Sequence, residues 1–336
     1  MTRYGRAIRE ADGADPGRVL AETNGRAEPV VFRGLCSHWP LVENAADPEA
    51  LERYLLAHYD GAPVTAFVGE PRNEGRIFYN DDVSALNFQQ IRSRLDEVLS
   101  RIRQASAQSP APTIYMGSMA LDLCLPGMKA ANSLPTHDLA ATVRIWIGNR
   151  SKVAAHYDVM DNVACVCAGR RRFTLFPPDQ LANLYLGPID LTPAGQQISL
   201  VDPDDPDFER FPRYADALAR SQWAELEPGD AVYIPSMWWH QVNALSEFNI
   251  LINHWWRDTP EHMGAPGDVL MHALLNLRGL PKRQRDAWRC LFDHYVFDPP
   301  EDGLDHIPEN SRGILGESDD DSVRQWRVIL RNRLNR

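Results

Sequence analysis

Cysteine, positive charge and long apolar runs are all in short supply in this sequence, and each shortage removes a class of protein. Five cysteines, at positions 36, 124, 165, 167 and 290, are an odd and scattered set in 336 residues. That excludes the dense disulfide framework of small secreted domains and fits a reducing cytoplasm. Cys165 and Cys167 stand at C-x-C spacing on an expected strand, but no second cysteine pair accompanies them. They read as small buried hydrophobes rather than as a soft metal site. No run of about 18 apolar residues occurs, so no membrane span is expected. The opening residues, Met1 to Arg6, lack the apolar stretch of a secretory signal, and a cytoplasmic location is the expectation. Lys and Arg number 35 against 46 Asp and Glu, a net charge of −11. That excludes a broad footprint on a phosphate backbone and disfavours RNA as a partner. Internal repeats and long low-complexity tracts are also absent.

What remains is a soluble globular composition, 44% hydrophobic and 24% charged, in a chain long enough to bury a large core. Pro29 to Leu35 and Pro63 to Val68 read as early strands. Asp47 as N-cap with Pro48 at the first helical position opens a helix through about Tyr59. Phe88, Ile91, Leu95, Val98, Leu99 and Ile102 recur at helical spacing, which predicts one amphipathic helix over 86–103. Thr113 to Met116 returns to a strand. Strands then crowd 142–257, interrupted by a polar, Pro-rich excursion at 177–222. From Pro266 the pattern turns helical, with helices over 268–277 and 282–296 and a last one capped at 319–322. Acid at the start of that last helix and arginine at its end suit the helix dipole. Its five arginines read as a solvated face before they read as a nucleic-acid tail.

The most informative local pattern is His156-Tyr-Asp158 answered by His240. Residues i and i+2 of a strand share a face, so one imidazole and one carboxylate converge. Thr142 to Gly148 alternates Val143, Ile145 and Ile147 as a half-buried strand, and the chain breaks at Gly148-Asn149 before Val153-Ala-Ala-His156. Leu226 to Asp230 is a Pro-Gly turn, Ala231 to Pro235 a short apolar strand, and Ser236 to Val242 carries His240 inward. Two imidazoles and one carboxylate leave half of an octahedral ion open, the arrangement of mononuclear Fe(II) oxygenases. An H-x-D triplet alone is common by chance; the ordered series around it is what carries weight.

That series is Phe32-Arg-Gly-Leu with Trp39-Pro40, His156-Tyr-Asp158, Gly169 through Pro178, then Pro228-Gly-Asp230 through Trp238-Trp-His240. It resembles the cupin-type JmjC hydroxylases, the asparaginyl-hydroxylase-like branch, over about residues 29–300. The resemblance implies a mainly β fold: a double-stranded β-helix (jelly-roll or cupin) core with helical N-terminal insertions and a C-terminal helical region. The domain would span 1–265, with 266–336 as a candidate dimerisation element. It also implies Fe(II) held by His156, Asp158 and His240, and 2-oxoglutarate as cosubstrate. Arg171 matches the basic side chain that pairs with the distal carboxylate, a position where relatives carry Lys. The guanidinium fork binds a carboxylate through two parallel hydrogen bonds. Arg170 and Arg172 have opposite strand parity and should face away. Tyr115, Asn162 and Asn253 match further cosubstrate residues, each with an alternative as ordinary core or edge residue. Val153 departs from the pattern, standing where relatives place a hydroxyl-bearing Thr.

Trp238 and Trp239 would wall the metal pocket or pack, one of them facing substrate. His137 would line the entrance, and His254, of opposite parity to Asn253, would be structural. The function implied is hydroxylation of a protein side chain, with O2 consumed and succinate and CO2 released. The partners implied are a protein or peptide substrate and a second copy of the chain, docked through Leu270, Leu274, Leu275, Trp288, Leu291 and Phe292. The alternatives are the same chemistry on tRNA or a small metabolite, and a non-catalytic cupin whose metal is structural or absent. Specificity is expected in the 177–222 excursion and the 60–90 region.

Overall fold

The computed structural model of the chain describes residues 4–11, 19, 23, 25–135, 140–257, 259–260, 262–316 and 319–334. It divides into two compact units, Met1–Arg257 and Asp258–Arg336, a boundary at the end of the last strand rather than at 265/266.

The first unit is built on fifteen described strands. In chain order they are β1 Arg6–Ala7, β2 Arg9–Ala11, β3 Val30–Phe32, β4 Val64–Gly69, β5 Arg76–Ile77, β6 Phe88–Ser93, β7 Thr113–Ala120 and β8 Thr142–Gly148. There follow β9 Ser151–Tyr157, β10 Asp161–Ala168, β11 Arg171–Phe176, β12 Gln222–Leu226, β13 Ala231–Ile234, β14 Trp239–Ala244 and β15 Asn249–Trp256. One sheet runs β1-β12-β11-β14-β9-β5 and the other β2-β3-β13-β10-β15-β8-β7-β4-β6. From β8 to β11 the chain steps between the sheets at each strand, and it does so again from β12 to β15. This is the double-stranded β-helix the motifs implied.

Period-two patterning decides what each face buries. On β8, Val143, Ile145 and Ile147 face the helices Pro48–Ala57 and Leu95–Ser106 in one apolar core. A second core fills the space between the sheets with Ala164, Val166, Phe173, Leu175, Val232, Ile234, Val242 and Leu251. The 177–221 excursion covers the outside of the smaller sheet, where Trp239, Phe176, Leu184 and Tyr214 pack together.

One expected helix is corrected. Residues 88–93 form β6, which pairs with β4 and sets Phe88 against Phe67 at 4.8 Å between ring centroids. The helix begins only at Leu95. The carboxylate of Glu97 marks its start, accepting from the Arg94 amide at 3.3 Å and the Ser93 hydroxyl at 2.5 Å. Phe88 and Ile91 match the helical period by coincidence, since the cross-strand partner outweighs local spacing. The helix at Pro48 starts as the sequence indicates, with Asp47 accepting from the Glu49 amide at 3.0 Å.

Two of the quoted motifs form a single joint. The buried Asp230 carboxylate accepts from the amides of Gly34 (2.9 Å) and Glu227 (3.1 Å) and from Arg33 (2.8 Å). Gly229 sits at φ +100°, and a Cβ there would lie 2.4 Å from the Ser37 hydroxyl. The turn therefore requires glycine. His254 ties a loop to β15: its Nε2 accepts from the Leu134 amide at 3.0 Å and contacts the Ser133 hydroxyl at 3.0 Å.

In the second unit the helices Pro266–Asn276 and Lys282–Phe292 bury none of their residues. Leu270, Leu275, Trp288 and Leu291 are exposed, Leu275 by 82%. Among the described residues no helix is long and apolar enough to cross a membrane.

Burial lowers the His254 pKa to about 3. The unfolded chain therefore binds a proton near pH 6.5 that the folded one refuses, and stability falls as pH drops from about 6.5 towards 3, by up to roughly 1.4 kcal/mol per pH unit. His254→Gln keeps an acceptor for Leu134 and removes that proton. Urea titrations at pH 7 and pH 5 should show a smaller loss in the variant than in the wild type.

Candidate metal centre

The register of β9 against β14 builds the centre. His240 near the start of β14 lies directly opposite His156 near the end of β9, and the two rings are 4.3 Å apart. Asp158 follows just beyond β9. One ligand atom from each of His156, Asp158 and His240 lies within 4.8 Å of the others, and among the described residues they form the one group that meets this test. The pairing is not regular. Val242 faces Val153, so β9 carries one more residue than β14 across this stretch. This is a β-bulge, a device that re-aims side chains beside active sites. It turns both Val153 and His156 toward the space between the sheets.

Each imidazole is oriented by a backbone carbonyl. His156 Nδ1 meets the Ala154 oxygen at 2.9 Å and His240 Nδ1 meets the Trp238 oxygen at 3.1 Å. A carbonyl accepts only, so each Nδ1 carries a proton and each Nε2 is left to face the centre, where a ligating imidazole presents its lone pair. His240 Nε2 stands 3.5 Å from the nearer Asp158 oxygen. Burial, with the nearby His156, pushes the His240 pKa down to about 4, against the opposing pull of Asp158. His240 is therefore the neutral, ligating form at physiological pH. Two imidazoles and a carboxylate suit a divalent first-row metal.

The triad opens into a cavity of about 160 Å3 lined by residues from both sheets. Larger surface clefts, of about 880 and 1010 Å3, contain none of the three residues. The cavity's far wall holds Arg171, 2% exposed. Among the described residues no carboxylate pairs with it, and its Nε has no partner. Burial lowers its pKa, with only the Tyr115 and Cys167 side chains acting in its favour. Tyr115 lines the same cavity, and burial raises its pKa so that the phenol keeps its proton. Asn253 Nδ2 donates to Asn162 Oδ1 at 2.7 Å. Both are buried on the cavity wall, and Asn253 Oδ1 is left without a partner. A buried, unpaired guanidinium is costly unless an anion completes it. The cavity thus has a metal-type donor set at one end and an anion-type donor at the other. This is the fit expected for a cosubstrate with a chelating end and a free carboxylate.

Arg172 faces outward as its parity requires, pairing with Glu225 at 2.9 Å and Asp204 at 3.0 Å. Arg170 is exposed. Two expected pocket residues are corrected: neither Trp238 nor Trp239 lines the cavity. Trp238 precedes β14 and donates from Nε1 to the Ala27 carbonyl at 2.9 Å. Trp239 has opposite parity to His240 and packs edge-on against Tyr157 outside the sheet. The indoles that do line the cavity are Trp146 and Trp255. Trp255 could have been found by parity, two residues beyond Asn253. His137 lies outside the described residues. Phe67, Ile77, Pro193 and Ala194 also line the cavity, so both regions expected to govern specificity reach it.

The model of the cupin-like domain family matches residues 16–262. The chain belongs to the cupin-like family. Among curated proteins it is similar to the lysine-specific demethylase JMJ31 of Arabidopsis thaliana, 33% identical over 131 residues, 37% of this chain and 23% of that protein. It is similar to the tRNA wybutosine-synthesizing protein 5 of Gallus gallus, 34% identical over 148 residues, 40% of this chain and 43% of that protein. A third relative, the HSPB1-associated protein 1 homolog of Danio rerio, is 27% identical over 172 residues, covering 49% of this chain and 35% of its own length. The chain thus spans less than half the length of each of these relatives.

Titration with Mn(II) at pH 7.5, followed by elemental analysis, should give one ion per chain. His240→Ala and Asp158→Ala should each weaken binding by more than the roughly 10–100-fold typical of losing an outer-shell partner. Unchanged affinity in both variants would remove the centre.

Proposed function

We propose that this cupin-like protein is an Fe(II)- and 2-oxoglutarate-dependent oxygenase that hydroxylates a protein side chain. The observation that carries the reading is the coexistence, in one cavity, of an open His-Asp-His triad with a buried guanidinium that no described carboxylate neutralises. Bound together, the metal and cosubstrate supply the power to hydroxylate a C–H bond, with O2 consumed and succinate and CO2 released.

The chain's own residues hold and shield. His156 and His240 present Nε2 and Asp158 its carboxylate, with ring orientations fixed by the Ala154 and Trp238 carbonyls. Arg171 takes the distal carboxylate and the Tyr115 hydroxyl donates to it. Asn162 and Asn253, bonded to each other, offer their remaining polar atoms beside the metal-bound end. Phe173, Val242, Leu251, Trp146 and Trp255 keep water from the cavity, which strengthens each polar contact inside. A second reading keeps the chemistry and changes the substrate to tRNA; similarity to a tRNA wybutosine-synthesizing protein favours it, and the net charge of −11 opposes it.

Two charge-assisted hydrogen bonds at about 1.5–3 kcal/mol each set the scale for Arg171. Arg171→Met should weaken 2-oxoglutarate binding to the Mn(II)-loaded protein by roughly 100-fold or more, with Arg171→Lys intermediate. Succinate release with Fe(II), O2 and screened peptides should fall in parallel. Wild-type cosubstrate affinity in Arg171→Met would overturn the assignment.

We also propose that the exposed apolar residues of the helices Pro266–Asn276 and Lys282–Phe292 pair two copies of the chain. Leu275→Arg combined with Leu291→Arg should convert a dimer to a monomer in light scattering. A monomeric wild type would refute it.

A further inference from the structure

The cavity face of the large sheet carries a second guanidinium. Arg144 on β8 lies opposite Asn253 on β15, Trp146 lies opposite Leu251, and Trp255 lies opposite Thr142. Residues directly opposite in an antiparallel pair share a face, and Trp146, Leu251, Asn253 and Trp255 all line the metal cavity. Arg144 is therefore on the cavity side of the sheet, next to lining residues though not itself one of them. It is only partly buried, whereas Arg171 is fully enclosed.

Its hydrogen bonding is incomplete. Nη1 donates to the Ser118 carbonyl at 2.9 Å, while Nε has no partner. Among the described residues no carboxylate pairs with it. The contact to Ser118 depends on an irregularity in β7: its register against β8 slips between Met116 and Met119, and Ser118 sits at φ +50°. Ser118 itself lines the cavity. Beside Arg144 the indole N–H groups of Trp146 and Trp255 are also buried without partners. Leaving three such donors unmatched in one neighbourhood is costly, and an anion with several acceptor oxygens would satisfy them together.

We propose that Arg144, Trp146 and Trp255 form an anion subsite at the metal cavity, and that it recognises a carboxylate on an acidic peptide substrate. The inference rests on the oxygenase reading, since that reading places 2-oxoglutarate at Arg171 and leaves Arg144 for the substrate. A carboxylate suits a planar guanidinium fork. A phosphate backbone calls for several cationic contacts, and this face offers one more guanidinium in a chain of net charge −11.

The test is a binding titration on the full chain loaded with Mn(II) and 2-oxoglutarate, read by calorimetry and indole fluorescence. The probes are N-acetyl-aspartyl-N-methylamide, its asparaginyl counterpart and a dinucleotide. The aspartyl probe should bind at least tenfold more tightly than the asparaginyl one. Arg144→Gln should erase that preference while 2-oxoglutarate affinity changes less than threefold. Trp255→Phe, which keeps an aromatic ring and removes the N–H, should weaken the aspartyl probe several-fold. Equal binding of the two peptides to the wild type overturns the subsite, as does a dinucleotide that outcompetes the aspartyl probe. An Arg144→Gln variant that loses 2-oxoglutarate as strongly as it loses the probe assigns Arg144 to the cosubstrate and also overturns it. Failure of the wild type to load Mn(II) or 2-oxoglutarate is a distinct outcome, which overturns the oxygenase reading and the subsite with it.

Discussion

The antiparallel register between β9 and β14 is the constraint on which the centre depends. It sets His156 opposite His240, and the neighbouring strand β11 sets Leu175 opposite His240, Phe173 opposite Val242 and Arg171 opposite Ala244. Inward residues on β11 therefore step from the level of the triad to Arg171 over four positions, about 13 Å at roughly 3.3 Å per residue. Both ends of that span line the same cavity of about 160 Å3. A slip of one residue in either pairing would turn the inward set outward and dissolve the arrangement. The bulge in β9 protects it from the opposite side, since His156 reaches the cavity only because one extra residue is accommodated before it.

Electrostatics and packing act against each other in this cavity. The sheets enclose Arg171 in apolar surroundings, where desolvation works against its charge, and no described carboxylate offsets it. A sequence selected for stability alone would place a neutral side chain there. Retaining the guanidinium makes sense when a ligand brings the counter-charge, and a bound anion then adds its own binding free energy to the folded state. The overall charge of −11 gives no hint of this, because among the described residues Arg171 is the one Lys or Arg that is buried, and a sum over the whole chain does not register it. Net charge excluded a broad polyanion footprint; it says nothing about a single buried carboxylate site.

Much of the core was legible because period-two alternation and turn chemistry acted together. Val143, Ile145 and Ile147, the break at Gly148-Asn149 and the Pro-Gly-Asp turn each specified a local conformation that the sheet then used. The resemblance singled out Arg171, and parity then set Arg170 and Arg172 on the other face. Three features were hidden. β6 was masked because Phe88 and Ile91 happen to continue the helical spacing of Leu95 to Ile102, and only a partner strand, β4, decides between them. The cavity's indoles were misplaced because nearness to His240 in sequence was weighed above strand parity: Trp239 faces away, whereas Trp146 on β8 and Trp255 on β15 face in. The role of Arg144 was invisible because it needs the irregularity at Ser118, which no local pattern announces.

The bulge also explains why position 153 matters. In a regular strand, residues three apart point to opposite faces, so Val153 and His156 could not share a cavity. With one residue absorbed between them they do. A hydroxyl at 153 would therefore face the cavity, and valine supplies none. The compensation available lies at Arg171. A lysine would present a point charge there, whereas a guanidinium offers several donors in a plane, and its Nε is still unmatched. Losing one neutral hydrogen bond costs about 1 kcal/mol, while one to a charged group contributes roughly 1.5–3 kcal/mol. A single additional contact from Arg171 would offset the missing hydroxyl at 153.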